Sequence, residues 1–142
     1  DLIFGGKEYL SADRESVSRL WIPGNHSKFK WQMGWMPPHL GCIFKRKVYM
    51  DYGGFNSSYS IAGDYEFLLR VMYRDNNISM KRISKIIVKM GPDGVSHSSF
   101  SNMIKSNCEV LRAWKENCGF TPYWIFLFKP LSKLLQINWL GR

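Results

Sequence analysis

Asp64, His39 and His97 stand where the chain passes from one element to the next, and they are the side chains with which this sequence could move a proton or hold an ion. Asp64 directly precedes Tyr65, Leu68, Leu69 and Met72, apolar residues at helical spacing. A carboxylate there can take a proton from a hydroxyl as a general base, and it can equally cap the orphan N–H groups of a helix start. His39 follows Pro37-Pro38, whose rings fix the backbone ahead of it, and precedes a short apolar run. An imidazole so placed can be aimed into a cleft, or can hydrogen-bond at the border of a core. His97 sits on the loop ahead of a long helix, where plain surface is the alternative to ligation. Gly53 and Gly54 permit positive φ and close backbone approach, as a ligand loop or a helix C-cap would need. Arg70, six residues past Asp64, points away from it on an ideal helix and suits a salt bridge or a phosphate contact.

The elements that would position these groups follow from periodicity and breakers. Leu2 to Phe4 reads as a buried strand ended by Gly5-Gly6, with Lys7 to Leu10 resuming after a bend. Residues 11–24 read as a hairpin or loop closed by Pro23-Gly24. Leu40 to Phe44 is expected as an interior strand, and Lys45 to Met50 as a short basic helix ending near Gly53-Gly54. Tyr65 to Asp75 is expected as a buried helix, Ile78 to Ile83 and Ile86 to Met90 as two strands joined by Ser84-Lys85, and Ser98 to Asn117 as an amphipathic helix stopped by Gly119. This order predicts an α/β fold. So few strands would leave an open sheet edge, hence the expectation of a missing N-terminal half or an edge-pairing partner.

The 142 residues fit one main unit, and 45% hydrophobic content excludes a disordered tail. A net charge of +9 suits a phosphate-bearing ligand, a polyanion or an acidic membrane surface. The three cysteines contain no CxxC pair and leave one over in any disulfide scheme, favouring reduced thiols and a cytoplasmic setting. No apolar run is long enough to span a bilayer, and no leader pattern opens the chain.

In order along the chain stand Gly5 after the opening strand, His39, Gly53-Gly54-Phe55, Ala62-Gly63-Asp64-Tyr65 and Gly94-Val95-Ser96. This series resembles the C-terminal, acceptor-side part of the inverting family 2 glycosyltransferases of GT-A fold, over about residues 1–100. The resemblance implies residues 1–120 as the acceptor-side half of a GT-A domain, a partial sheet with flanking helices whose donor-binding half precedes Asp1. It implies transfer of a sugar from a nucleotide-sugar donor to a saccharide or lipid-linked saccharide acceptor, in bacterial polysaccharide or cell-surface glycan synthesis. Asp64 would be the catalytic base, although Gly63 stands where the family most often has Glu. His39, Gly53, Gly54, Phe55, Gly63 and Tyr65 would line the acceptor side. A divalent metal, Mg or Mn, would be held mainly by the donor-binding half, with His97 as an added ligand. The string Asp13-Arg14-Glu15 reads as solvated surface rather than as the family's metal motif. Residues 121–142 mix aromatic, aliphatic and basic side chains. Over 122–142 they suit peripheral contact with the inner face of a membrane, or packing on the domain or another subunit. The rival classes are a basic nucleic-acid-binding module and, resting on 122–142, a membrane-surface interaction module without catalysis; the cations are spread from Lys7 to Arg142 and no nucleic acid is expected as partner, while self-association stays open.

Overall fold

A computed structural model describes residues 1–91, 100–126 and 128. β1 (Leu2–Leu10) is the axis of a four-stranded mixed sheet. One edge of β1 pairs in parallel with β4 (Met80–Met90). The other edge is shared by two antiparallel strands, β3 (Cys42–Phe44) against residues 2–4 and β2 (Val17–Trp21) against residues 7–10. The chain is therefore of mixed α/β class, as expected.

Three strand expectations need correction. First, Gly5 and Gly6 do not end the opening strand. β1 runs straight through them because β4 crowds that stretch: a Cβ on Gly6 would lie 2.7 Å from Ile86 Cδ1, and one on Gly5 would lie 3.0 Å from the Lys85 carbonyl. Second, residues 80–90 form one strand rather than two. Phe4 faces Arg82 and Gly6 faces Ile86, so Ser84-Lys85 is a bulge in β4 instead of a turn between strands. Third, β3 is an edge strand of three residues, with Ile43 59% exposed and paired across to Ile3. The apolar run at 40–44 does not distinguish an edge from a centre.

The helices fall closer to expectation. α1 (Lys28–Gln32) inserts Trp31 into the core, where it meets Trp35 and Tyr65 edge-on at 5.8 Å each. α2 (Arg46–Tyr52) stops at Gly53, whose φ of +77° is the left-handed cap that glycine adopts without strain. α3 (Gly63–Leu68) continues into a π-helical stretch, Leu69–Arg74. From Tyr65 to Leu69 every side chain is buried, as suits a helix packed between a sheet and another helix. α4 (Phe100–Cys118) supplies that second helix: Trp114 meets Tyr73 edge-on at 4.6 Å and donates from Nε1 to the Tyr65 hydroxyl at 2.8 Å. On the sheet side, Phe44 meets Phe67 at 5.3 Å.

Gly41 closes the 3-10 turn His39–Gly41 directly on β1. A Cβ there would lie 2.7 Å from the Gly5 carbonyl oxygen, a backbone atom that cannot swing away. Gly41→Ala is accordingly expected to cost about 1–3 kcal/mol, read from urea denaturation. An unchanged midpoint would show that the turn can lift off the sheet freely.

Candidate functional site

His39 and Asp64 arrive from different elements. Pro37 and Pro38 are buried and lead into the 3-10 turn, whose Gly41 N–H donates to the Pro38 carbonyl at 2.8 Å. The turn packs closely on β1 at Gly41. This places His39 beside the start of α3. There, His39 Nδ1 lies 2.8 Å from Asp64 Oδ2, with the two side chains 42% and 31% exposed. Asp64 Oδ1 accepts the Tyr65 N–H at 2.8 Å. Two residues picked out separately from the sequence thus form one acid–imidazole pair, in contact with each other and reachable from solvent.

The start of α3 is held from behind by a residue that sequence motifs did not single out. Glu109 of α4, 8% exposed, accepts from Ser60 N–H at 3.1 Å, Ser60 Oγ at 2.8 Å, Ile61 N–H at 2.9 Å and Ala62 N–H at 2.7 Å. Burial opposes its ionisation. The Ala62 and Ile61 amides and both Ser60 donors outweigh that, and the carboxyl is drawn down to about 2. Segment 60–62 runs straight into Gly63-Asp64, so Glu109 fixes the approach to the pair. Its only trace in the sequence is a Glu inside the amphipathic pattern of α4, where surface is the usual reading.

Arg70 does not face the pair, as its helical position indicated. Its Nε donates to Glu66 Oε1 at 2.8 Å and its Nη2 to Glu66 Oε2 at 3.1 Å. Nη1 donates to the Tyr52 carbonyl and Nη2 also to the Gly54 carbonyl at 2.8 Å. Of the two roles open to it, this is the salt bridge, with two loop carbonyls added. Gly53 and Gly54 therefore act as a C-cap and a clamped loop. Phe55 is exposed beyond them, its ring 4.9 Å from that of Phe67.

Gly63 opens α3 with room around it, the nearest atom to a Cβ there being Tyr59 Cβ at 3.7 Å. Tyr65 departs from expectation. Its ring is buried against Trp31 and its hydroxyl engages Trp114, and burial first of all pushes that hydroxyl well above the ordinary range. Its side chain supports α3 from within the core and is not offered to a sugar. His97 lies outside the described residues. Asp13 is exposed in the hairpin turn and accepts from Glu15 N–H at 2.9 Å and Ser16 N–H at 3.1 Å, as solvated surface would.

Clefts among the described residues include one of about 360 Å³ lined by Ser58, Ser60, Lys105 and Arg112 and one of about 370 Å³ lined by Phe4, His26 and Arg82. Neither is lined by Asp64 or His39. Burial pushes the thiol of Cys42, close to the 3-10 turn, up to about 12, which disfavours the thiolate. Among the described residues no three His, Cys, Asp or Glu side chains are grouped to hold a metal. The chemistry these residues can account for is proton transfer. Nor is any helix among the described residues long and apolar enough to cross a membrane. Of the tail, Pro122 and Ile125 are buried in the domain, with Phe126 packed against it, while Tyr123, Trp124 and Phe128 are exposed. Residues 127 and 129–142 lie outside the described residues. No family model, curated protein or solved structure matches the chain.

Proposed function

We propose that this chain is the acceptor-side part of an inverting GT-A glycosyltransferase of family 2, moving a sugar from a nucleotide-sugar donor to the hydroxyl of a saccharide or lipid-linked saccharide acceptor. The observation that supports this reading best is the His39–Asp64 contact of 2.8 Å. It joins two positions of the resembling series that lie 25 residues apart, at a place solvent can reach.

In this reading the pair takes the proton of the acceptor hydroxyl while the acceptor oxygen bonds to the anomeric carbon. On the opposite face the bond from that carbon to the diphosphate oxygen breaks. The nucleoside diphosphate leaves with the electron pair, and the configuration inverts. The donor and its divalent metal belong to a nucleotide-binding half that the resemblance sets ahead of Asp1. When bound, the metal would neutralise charge on the departing diphosphate. In this reading the described residues carry the proton-accepting part, and Glu109 ties down the segment that leads into Asp64.

The test offers the full-length protein a panel of UDP-, GDP- and dTDP-sugars with Mg or Mn, and with saccharide or polyprenyl-phosphate-linked acceptors. Released nucleoside diphosphate and the anomeric configuration of the product are read. Transfer with inversion is expected; absence of nucleoside diphosphate release across the panel, or retention of configuration, overturns the reading.

A further inference from the structure

The geometry points to Nε2 of His39, rather than the carboxylate of Asp64, as the atom that takes the acceptor proton, with Asp64 the residue that orients and charge-balances the imidazole. This rests on the proposed transfer reaction and refines its proton-accepting step.

The two ends of the pair differ in what they have left to offer. Both oxygens of Asp64 already accept, Oδ1 from the Tyr65 amide and Oδ2 from His39 Nδ1. Hydrogen bonds made to the ionised form favour that form over the protonated one. The imidazole is in the opposite position. An ionised carboxylate has only acceptors, so the contact at Oδ2 requires the hydrogen on Nδ1. In the neutral ring that puts the lone pair on Nε2. No described residue hydrogen-bonds to Nε2, and the His39 side chain is the more exposed of the two, 42% against 31%. An approaching hydroxyl can therefore meet the ring at Nε2. An imidazole also suits proton transfer near neutral pH better than a carboxylate does.

Rigidity supports the assignment. The backbone of His39 follows two buried prolines and lies in a 3-10 turn that packs closely on β1 at Gly41. Asp64 is held by the Glu109 clamp on the segment that precedes it. The ring is engaged at Nδ1, and among the described residues the other nitrogen has no hydrogen-bond partner. The step balances. The acceptor O–H bond breaks, with its proton going to Nε2; the acceptor oxygen bonds to the anomeric carbon; the bond to the diphosphate breaks, its electron pair leaving with the nucleoside diphosphate. The imidazolium, facing the Asp64 charge, then returns its proton to water.

Two measurements test this. In ¹⁵N-labelled full-length protein, imidazole nitrogen shifts are expected to show His39 as the Nδ1–H tautomer, and Asp64→Asn is expected to lose that preference. A dominant Nε2–H tautomer in the wild type overturns the inference with no substrate needed. In the transfer assay, His39→Gln is expected to lower kcat by about 10²–10⁴-fold, with the donor KM within a few fold. Added imidazole is expected to restore part of the rate to His39→Gly and none to Asp64→Asn. His39→Gln within about tenfold of wild type beside an inactive Asp64→Asn overturns the inference and leaves the transfer reading standing. A wild type that turns over no nucleotide sugar overturns both.

Discussion

Asp64→Asn in the full-length protein is expected to lower sugar transfer by about 10²–10⁴-fold while nucleotide-sugar affinity stays within a few fold. The substitution preserves the size of the side chain. Its oxygen can still accept the Tyr65 amide now bound at 2.8 Å, so α3 is expected to stay in place. What changes is the group facing His39. A carboxylate that accepts from Nδ1 becomes an amide without charge, and an amide nitrogen turned toward the ring favours the wrong tautomer. Loss of an orienting carboxylate beside a catalytic imidazole reduces kcat rather than binding, because the charge it balances exists only as the proton moves. The measurement is steady-state kinetics with the donor varied at saturating acceptor. Turnover at the wild-type rate would remove the pair from the chemistry altogether.

Removing the clamp behind the pair has the largest effect expected on stability. Glu109→Ala leaves the amide N–H groups of Ser60, Ile61 and Ala62 without the carboxylate that now accepts all three. A buried donor left unsatisfied costs about 1–3 kcal/mol. Water can reach part of the opened space, so a total loss of about 3–5 kcal/mol is expected rather than the full sum over three donors. Urea denaturation at neutral pH measures it, and an unchanged midpoint would show that segment 60–62 does not depend on Glu109. The same group makes an acid prediction. Its carboxyl lies at about 2 in the folded chain, below the ordinary 4.5. A depressed carboxyl stabilises the fold at pH above its unfolded value, and that contribution is lost as pH falls from about 4.5 toward 2. Glu109→Gln keeps an acceptor oxygen but cannot titrate, so its stability is expected to fall less steeply than the wild type over that window.

Both effects bear on how far the chain could be read in one dimension. Asp64 at a helix start, His39 after two prolines, the cap at Gly53, the long helix ended by Gly119 and the turn of Arg70 away from Asp64 were all legible. Each depends on contacts within a turn or two: apolar spacing, a ring that fixes φ, a glycine free to take positive φ. The sheet was less legible. Gly5-Gly6 and Ser84-Lys85 carry the residue types of turns, yet the two places face each other across a parallel pair, where missing side chains admit a bulge instead of ending a strand. The edge position of β3 and the inward ring of Tyr65 likewise follow from which neighbours arrive, and periodicity does not encode that.

The residue types able to do chemistry, and the local elements carrying them, were determined by the sequence alone. Only the tertiary structure decided that His39 and Asp64 touch, that Glu109 reaches back 47 to 49 residues to hold the segment ahead of them, and that Tyr65 belongs to the core. The reason is one of range. Helix and turn preferences are settled by neighbours a few residues away, whereas a hydrogen bond between distant elements exists only after the sheet and helices have closed and brought its two ends within 3 Å or so.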